Sequence, residues 1–415
     1  MKSSGPIDCG RTIGCEDDLL TIWQKLPVPG TTFHALTGER ISLLSPGVRN
    51  KSDGPDFLNG ILLIDGNMFV GPVEMHMRES DWFTHKHHED PVYSNVILHV
   101  LAQAPDEARL RLDIPTIVLR RDSNEKKEET SDFSFGEKKL SLQPLVELAW
   151  SRLLCRAIEA IRREPRLTND LQIEREFLYR LFDALGFSAN RGPMKRVAER
   201  LFAGRHRLIG ATFDEILSHL FSQSGLPVER LTAVASRFVS ESRLRSILPS
   251  EADHPVDPEW NFRVRPANTP ERRIWAGGKL VYDLYNDDLL TNAARLIASN
   301  CPYKEIRGLF LVRFGSKSLI GTSRASDIII NALLPVLLAE GVVMNDSMLI
   351  QGTCQCYRAA PSLSSNRAIR QVEKQYLDGG QFEGAFLQQG AIEYQQRYLL
   401  PDKTGISMVA EKVRN

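Results

Sequence analysis

The chain has 415 residues, 42% of them apolar and 25% charged, and its 52 lysines and arginines balance 52 aspartates and glutamates. That length suggests roughly two or three domains of ordinary globular composition. Zero net charge excludes a molecule that seeks polyanions as a whole, so a nucleic-acid surface has to be local. The six cysteines (Cys9, Cys15, Cys155, Cys301, Cys354, Cys356) are scattered, which suits reduced thiols rather than a disulfide framework. The start, MKSSGPIDCGRTIG, lacks an apolar core, and no run reaches ~18 apolar residues. Neither a signal peptide nor a membrane span is therefore expected, and the cytoplasm is the expected compartment.

Residues 1–14 read as a loose tail. CEDDLLTIWQKL predicts a short helix, with Leu19, Leu20, Trp23 and Leu26 at helical spacing and acids at its start; Pro27 and Pro29 end it. The turn SDGPD leads into FLNGILLID, a strand closed by Asp65-Gly66. NMFVGPVEMHM reads as a second strand, which makes DGN a hairpin connection. Alternation over Val73, Met75 and Met77 places Glu74 and His76 together on the opposite face. NVILHVLAQ and IPTIVLR predict two further strands. RDSNEKKEETSDFSFGEKK is polar and reads as a solvated linker.

Beyond the linker the period becomes helical, from LQPLVELAWSRLLCRAIEAIRR onward, interrupted by an irregular Pro- and Arg-rich segment, VDPEWNFRVRPANTPERRI. The expected fold class is α+β. An α/β domain over residues 15–122, on a small mixed sheet, precedes a charged linker at 123–139 and an all-helical domain over 140–400.

The most informative stretch runs from Asp53 to Leu101 and holds five of the nine histidines: His76, His85, His87, His88 and His99. Asp56 follows Pro55, and Glu74-Met75-His76 begins 18 residues later. Carboxylates on adjacent strands can converge on one Mg²⁺ or Mn²⁺, with the Met75 carbonyl as a third oxygen. His76 is then placed to orient a water, take its proton or contact a phosphate. His85, His87 and His88 lie in a polar loop, as supporting or phosphate-facing groups or as ordinary exposed histidines. His99, inside an apolar strand, reads equally as a hydrogen-bonded core residue or a catalytic one. Glu16 is either a further metal ligand or simple helix-start charge. Trp82 and Tyr93 read as packing residues.

Pro55-Asp56 followed by Glu74-x-His76 resembles the PD-(D/E)xK nuclease superfamily. The resemblance implies a restriction-endonuclease-like α/β domain, metal ligation by Asp56 and Glu74, and catalysis by Asp56, Glu74 and His76. His76 stands where that superfamily usually has lysine. Trp82 with His85 and His87 also resembles the very-short-patch repair endonucleases, which implies an assisting role for those histidines. GPDF (54–57), GPVEMHMRESDWFTHKHHEDPVYSNVILHV (71–100), RVRPANTPERRI (263–274) and SDIIINALLPVLLAEG (326–341) resemble a bacterial family catalogued as domain of unknown function 2851. That resemblance spans most of the chain and implies no particular reaction.

Between Arg152 and Arg207 there are 13 Lys/Arg against seven Asp/Glu. That surplus suits either phosphate contact or the solvated faces of amphipathic helices. Arg265, Asn268 and Arg272, among prolines, are candidates for phosphate or carboxylate contact; buried ion pairs are the other reading. No GxGxxG follows a strand, and GxxxxGK[ST], GxSxG and HExxH do not occur, which removes nucleotide-driven, serine-hydrolase and zincin readings. The expectation is a Mg²⁺- or Mn²⁺-dependent nuclease or phosphodiesterase acting on DNA or RNA. A degenerate nuclease-like protein binding nucleic acid or a protein partner, and a hydrolase holding Zn²⁺ or Mn²⁺ through histidines, are the alternatives. Oligomeric state is not legible.

Overall fold

The computed structural model describes residues 13–26, 31–105, 112–120, 142–164, 170–249, 257, 259–264, 268–344, 346–377 and 379–399. Most of the expected N-terminal tail, the charged linker at 123–139 and Arg265 lie outside the described residues. Contacts divide the chain into two compact units, residues 1–151 and 152–415.

The first unit is built on a mixed sheet. Its strands are β1 (Thr31–His34), β2 (Arg40–Ser45), β3 (Val48–Arg49), β4 (Phe57–Ile64), β5 (Asn67–His76), β6 (Leu98–Leu101) and β7 (Thr116–Val118). The order is β1-β2-β4-β5-β6-β7, with β3 paired to β4. Pairings are antiparallel up to β5 and parallel from β5 to β7. The β4–β5 hairpin turns at Asp65 and Gly66, both at positive φ (48° and 78°), the signature of a two-residue type I′ turn. Asp65 also accepts from the Arg40 N–H through Oδ1 at 2.9 Å, which pins the turn to the neighbouring strand.

One sheet face is a closed apolar core. Val73, Met75, Leu98, Val100 and Ile117 meet Leu19, Leu20 and Trp23 of α1 (Glu16–Gln24), and all eight side chains are buried. Trp23 is 0% exposed and donates through Nε1 to the Pro46 carbonyl at 3.0 Å, so the largest core side chain has no unpaired polar atom. Alternation therefore sends Glu74, His76 and His99 to the other face. The β5–β6 connection passes so close to the hairpin that a Cβ on Gly71 would lie 2.6 Å from Ile97 Cγ2 and 3.3 Å from the Asn95 carbonyl oxygen. Gly71→Ala is expected to cost roughly 1–3 kcal/mol, read as a lower midpoint in thermal or urea unfolding.

The second unit is predominantly helical but not all-helical. A hairpin of Val312–Phe314 and Lys317–Ile320 interrupts it, where sequence periodicity indicated helix throughout. The Pro- and Arg-rich segment is also less irregular than expected, because Pro270 opens a helix, Pro270–Asn286. Proline fits there because its missing N–H would be unpaired in a first turn anyway. One helical run, Thr322–Met344, is long and apolar enough to cross a membrane by length and composition, and 67% of its most apolar window is buried inside the protein. Such burial is also the habit of a core helix.

Candidate metal centre

Asp56 and Glu74 are tied together by the backbone of the hairpin. The Asp56 N–H donates to Glu74 Oε2 at 3.0 Å, and the Met75 N–H donates to Asp56 Oδ2 at 2.9 Å. This reciprocal pair forms because Asp56 precedes β4 directly beside the end of β5, where Phe57 pairs with Val73. Each carboxylate fixes the other's strand, and each keeps one oxygen clear of that exchange.

The histidines arrive from three directions. His76 lies on β5 one alternation beyond Glu74, and the parallel register sets Glu74 opposite His99. His76 Nδ1 is 3.0 Å from His99 Nε2, and His76 Nε2 is 3.2 Å from His85 Nδ1. His85 and His87 come from the end of α2 (Glu79–Thr84). There the Lys86 N–H bonds the Phe83 carbonyl and the His87 N–H bonds the Trp82 carbonyl, with Lys86 left-handed at φ 61°. That is a Schellman closure with lysine in the position glycine usually takes. It turns the chain back over the sheet, and His87 Nε2 reaches Glu74 Oε1 at 3.2 Å. His76 Nε2 is 3.6 Å from the same oxygen.

Aromatic groups surround this cluster. Trp82 is buried and sits edge-on to His76, His87 and His99, while Tyr93 stacks on His87 with centroids 3.8 Å apart. Both serve as the packing residues expected from the sequence. His88 points instead toward Glu89 and Phe83.

Burial sets the electrostatics. It pushes the Glu74 carboxyl up to about 8, with repulsion from Asp56 adding to it and the Asp56 N–H opposing. It pushes Asp56 up to about 6, against the Met75 N–H. Glu16 is itself raised by burial, and its charge raises both other carboxyls. The guanidinium acting on Asp56 is Arg49, which is paired 2.8 Å away with Asp17. Burial lowers His76 to about 3 and His99 to about 4, and it lowers His87 as well. Three carboxyl groups share one field with imidazoles held neutral. A bound cation reverses that balance, favouring carboxylates and using neutral imidazoles as donors.

The donor set fits a divalent ion. One ring nitrogen from each of His76, His85 and His87 lies within 4.8 Å of the others, and Glu74 Oε1 stands beside two of these rings. Asp56 and Glu74 offer the oxygens that Mg²⁺ or Mn²⁺ takes.

Two further candidates, Asn268 and Arg272, hydrogen-bond within the helical unit. Asn268 accepts from Arg273 at 2.6 Å, and Arg272 donates to the Ser318 carbonyl at 3.1 Å. The Arg272 bond, with one from Arg273 to the Leu319 carbonyl at 3.0 Å, fastens the Pro270 helix to the small hairpin. The basic surplus of residues 152–207 is largely engaged in ion pairs: Arg152 with Glu393, Arg163 and Arg180 with Glu176, Arg196 with Asp257 and Arg205 with Glu174. Sequence reasoning missed the direct approach of His87 to Glu74. The signal for it is the HKHH end of a short helix, which reads as ordinary exposed loop unless the left-handed turn at Lys86 is known.

No curated protein and no solved structure matches this chain. Residues 16–365 match the family model described as protein of unknown function (DUF2851). The match covers most of the chain and includes every residue of the centre described above, and the chain belongs to the DUF2851 family.

Proposed function

We propose that this chain is a divalent-metal-dependent phosphodiester hydrolase acting on DNA or RNA, with Asp56 and Glu74 holding the ion. The observation that carries this reading is the reciprocal pair of backbone–carboxylate bonds between Asp56 and the Glu74–Met75 strand, with His76 Nε2 3.6 Å from Glu74. A restriction-endonuclease-like arrangement of the first unit is supported by element order: helix α1, the β4–β5 hairpin, helix α2, then β6 parallel to β5. Asp56 before β4 and Glu74-x-His76 on β5 support the PD-(D/E)xK reading.

An ion held there supplies positive charge against a phosphoryl group and raises the acidity of a water beside it. The chain's own groups do the positioning. The hairpin presents Asp56 and Glu74 from adjacent strands, so their separation is set by sheet hydrogen bonds rather than by loops. His76 cannot supply the charge of a lysine, because burial keeps it neutral. In a site holding the carboxylate-bound ion alone, its role is to orient the attacking water and keep the site compact.

The test is cleavage of single- and double-stranded DNA and RNA with Mn²⁺ or Mg²⁺. Asp56→Ala and Glu74→Ala are each expected to lower the rate by at least about a thousandfold, roughly 4 kcal/mol of barrier, with unchanged far-ultraviolet circular dichroism. Cleavage that survives either change would overturn the reading. A folded, metal-loaded wild type that retains nucleic acid without cleaving it would favour the degenerate, binding-only alternative. A metal held by imidazoles is a second reading, favoured by the convergence of His76, His85 and His87.

A further inference from the structure

We infer that the two metal readings describe one centre: Glu74 bridges an oxygen-rich position shared with Asp56 and a separate nitrogen-rich position formed by His76, His85 and His87, the second taking Zn²⁺ or a similar borderline ion. The inference rests on Glu74 being a ligand of the proposed hydrolase site.

Geometry carries it. Zn–N and Zn–O bonds near 2.0–2.1 Å in a tetrahedral site place neighbouring donor atoms about 3.3 Å apart. The donor separations here are 3.2 Å between His76 Nε2 and His85 Nδ1, 3.2 Å between His87 Nε2 and Glu74 Oε1, and 3.6 Å between His76 Nε2 and Glu74 Oε1. The three imidazole donors also lie within 4.8 Å of one another. Three of the six separations in this four-donor set thus lie near the tetrahedral edge, and three of the four donors are nitrogen, which suits Zn²⁺ and does not suit Mg²⁺.

The supporting contacts agree. For Nε2 of His76 to face an ion, its proton must be on Nδ1, and His99 Nε2 lies 3.0 Å from that atom as acceptor. Such a partner fixes the ring and its tautomer. Trp82 packs on His76, His87 and His99, and Tyr93 holds His87 by stacking. His85 is exposed, which leaves an entry path. Glu74 divides its oxygens: Oε2 receives the Asp56 N–H and Oε1 faces the imidazoles. A carboxylate with its two oxygens so divided would face one ion on each side, as bridging carboxylates do in two-metal phosphodiester sites.

The experiment is metal binding by the full chain after chelator treatment, with Zn²⁺ alone, Mn²⁺ alone, and Zn²⁺ followed by Mn²⁺, scored by equilibrium dialysis with elemental analysis. Co²⁺ serves as a spectroscopic probe, since low-coordinate nitrogen ligation gives strong visible absorption. Wild type is expected to hold one Zn²⁺ and then one Mn²⁺. The double variant His85→Ala/His87→Ala is expected to lose at least about 100-fold in Zn²⁺ affinity together with the Co²⁺ absorption, while still binding Mn²⁺. Asp56→Asn is expected to lose Mn²⁺ and keep Zn²⁺. Zn²⁺ binding unchanged in the double variant, or both ions lost together in Asp56→Asn, would overturn the two-position centre. None of these readouts depends on cleavage, so a protein that binds Zn²⁺ as expected yet cuts no nucleic acid would sink only the hydrolase reading. Because His85 and His87 end a short helix outside the apolar core, both variants are expected to fold, and circular dichroism verifies it.

Discussion

Glu74→Gln is expected to abolish Mn²⁺ binding and, in metal-free protein above pH 8, to raise stability. The two effects have opposite signs for one reason. Glu74 is 4% exposed, and burial with the neighbouring Asp56 raises its pKa from 4.5 to about 8. A raised folded-state pKa means that the folded chain binds this proton more tightly than the unfolded chain does. The associated stability is fully present below pH 4.5 and is lost as the pH rises through about 8. At pH 9 the folded protein carries a buried anion. Each pH unit of that rise is worth about 1.4 kcal/mol. After allowance for relaxation and water entry, Gln, which needs no proton, is expected to recover roughly 2–4 kcal/mol at pH 9 and little at pH 5. Gln keeps a carbonyl oxygen to accept the Asp56 N–H, so the hairpin is preserved. Urea unfolding at the two pH values, with and without Mn²⁺, reads both effects. A variant less stable than wild type at pH 9 in chelator would show that Glu74 is not a strained buried acid.

Metal binding is expected to strengthen about 100-fold between pH 6 and pH 8 and to release roughly one proton per ion at pH 7. The sign follows from the groups that face the centre. Glu74, at about 8, must lose its proton to become a ligand, and Asp56, at about 6, adds a smaller dependence near pH 6. Glu16 on α1 is shifted the same way. His76, lowered by burial to about 3, and His99, to about 4, contribute no proton over this range, and burial lowers His87 in the same direction. Tyr93, raised to about 12, stays protonated. Calorimetric titration in buffers of different ionisation enthalpy counts the proton directly. Affinity flat with pH above 6.5 would mean that only imidazoles bind the ion. Those same histidines govern acid stability. Their lowered pKa values give stability that is present above the ordinary imidazole value of 6.5 and lost as the pH falls toward 3–4, so metal-free protein is expected to weaken on acidification through that window.

Local chemistry decided which parts of this structure the sequence made legible. The hairpin was readable because Asp65-Gly66 permits two successive positive φ values, and alternation then put Glu74 and His76 on one face. Trp23 and its helix were readable from period alone. The two-residue strand β3, and β1 before the Ala35–Gly38 turn, are too short to carry a pattern. The partnership of His99 with His76 depends on parallel register between β5 and β6, a non-local property that neither strand's sequence encodes. The sequence around His87 reads as polar loop, yet a left-handed Lys86, closed by the local bonds to Phe83 and Trp82, returns it to Glu74. Asn268 and Arg272, read among their prolines as candidates for phosphate or carboxylate contact, hydrogen-bond within the helical unit, to partners that the local sequence does not announce. Composition near a site was thus informative, and the pairing of distant segments was not.

The most direct measurement is Mn²⁺ titration calorimetry at pH 8 on wild type beside Asp56→Ala and Glu74→Ala. Stoichiometric heat in wild type that is absent from both folded variants is the expected result, and it would establish the paired carboxylates as the seat of the ion. Binding retained in both variants, or no binding in a well-folded wild type, would contradict it.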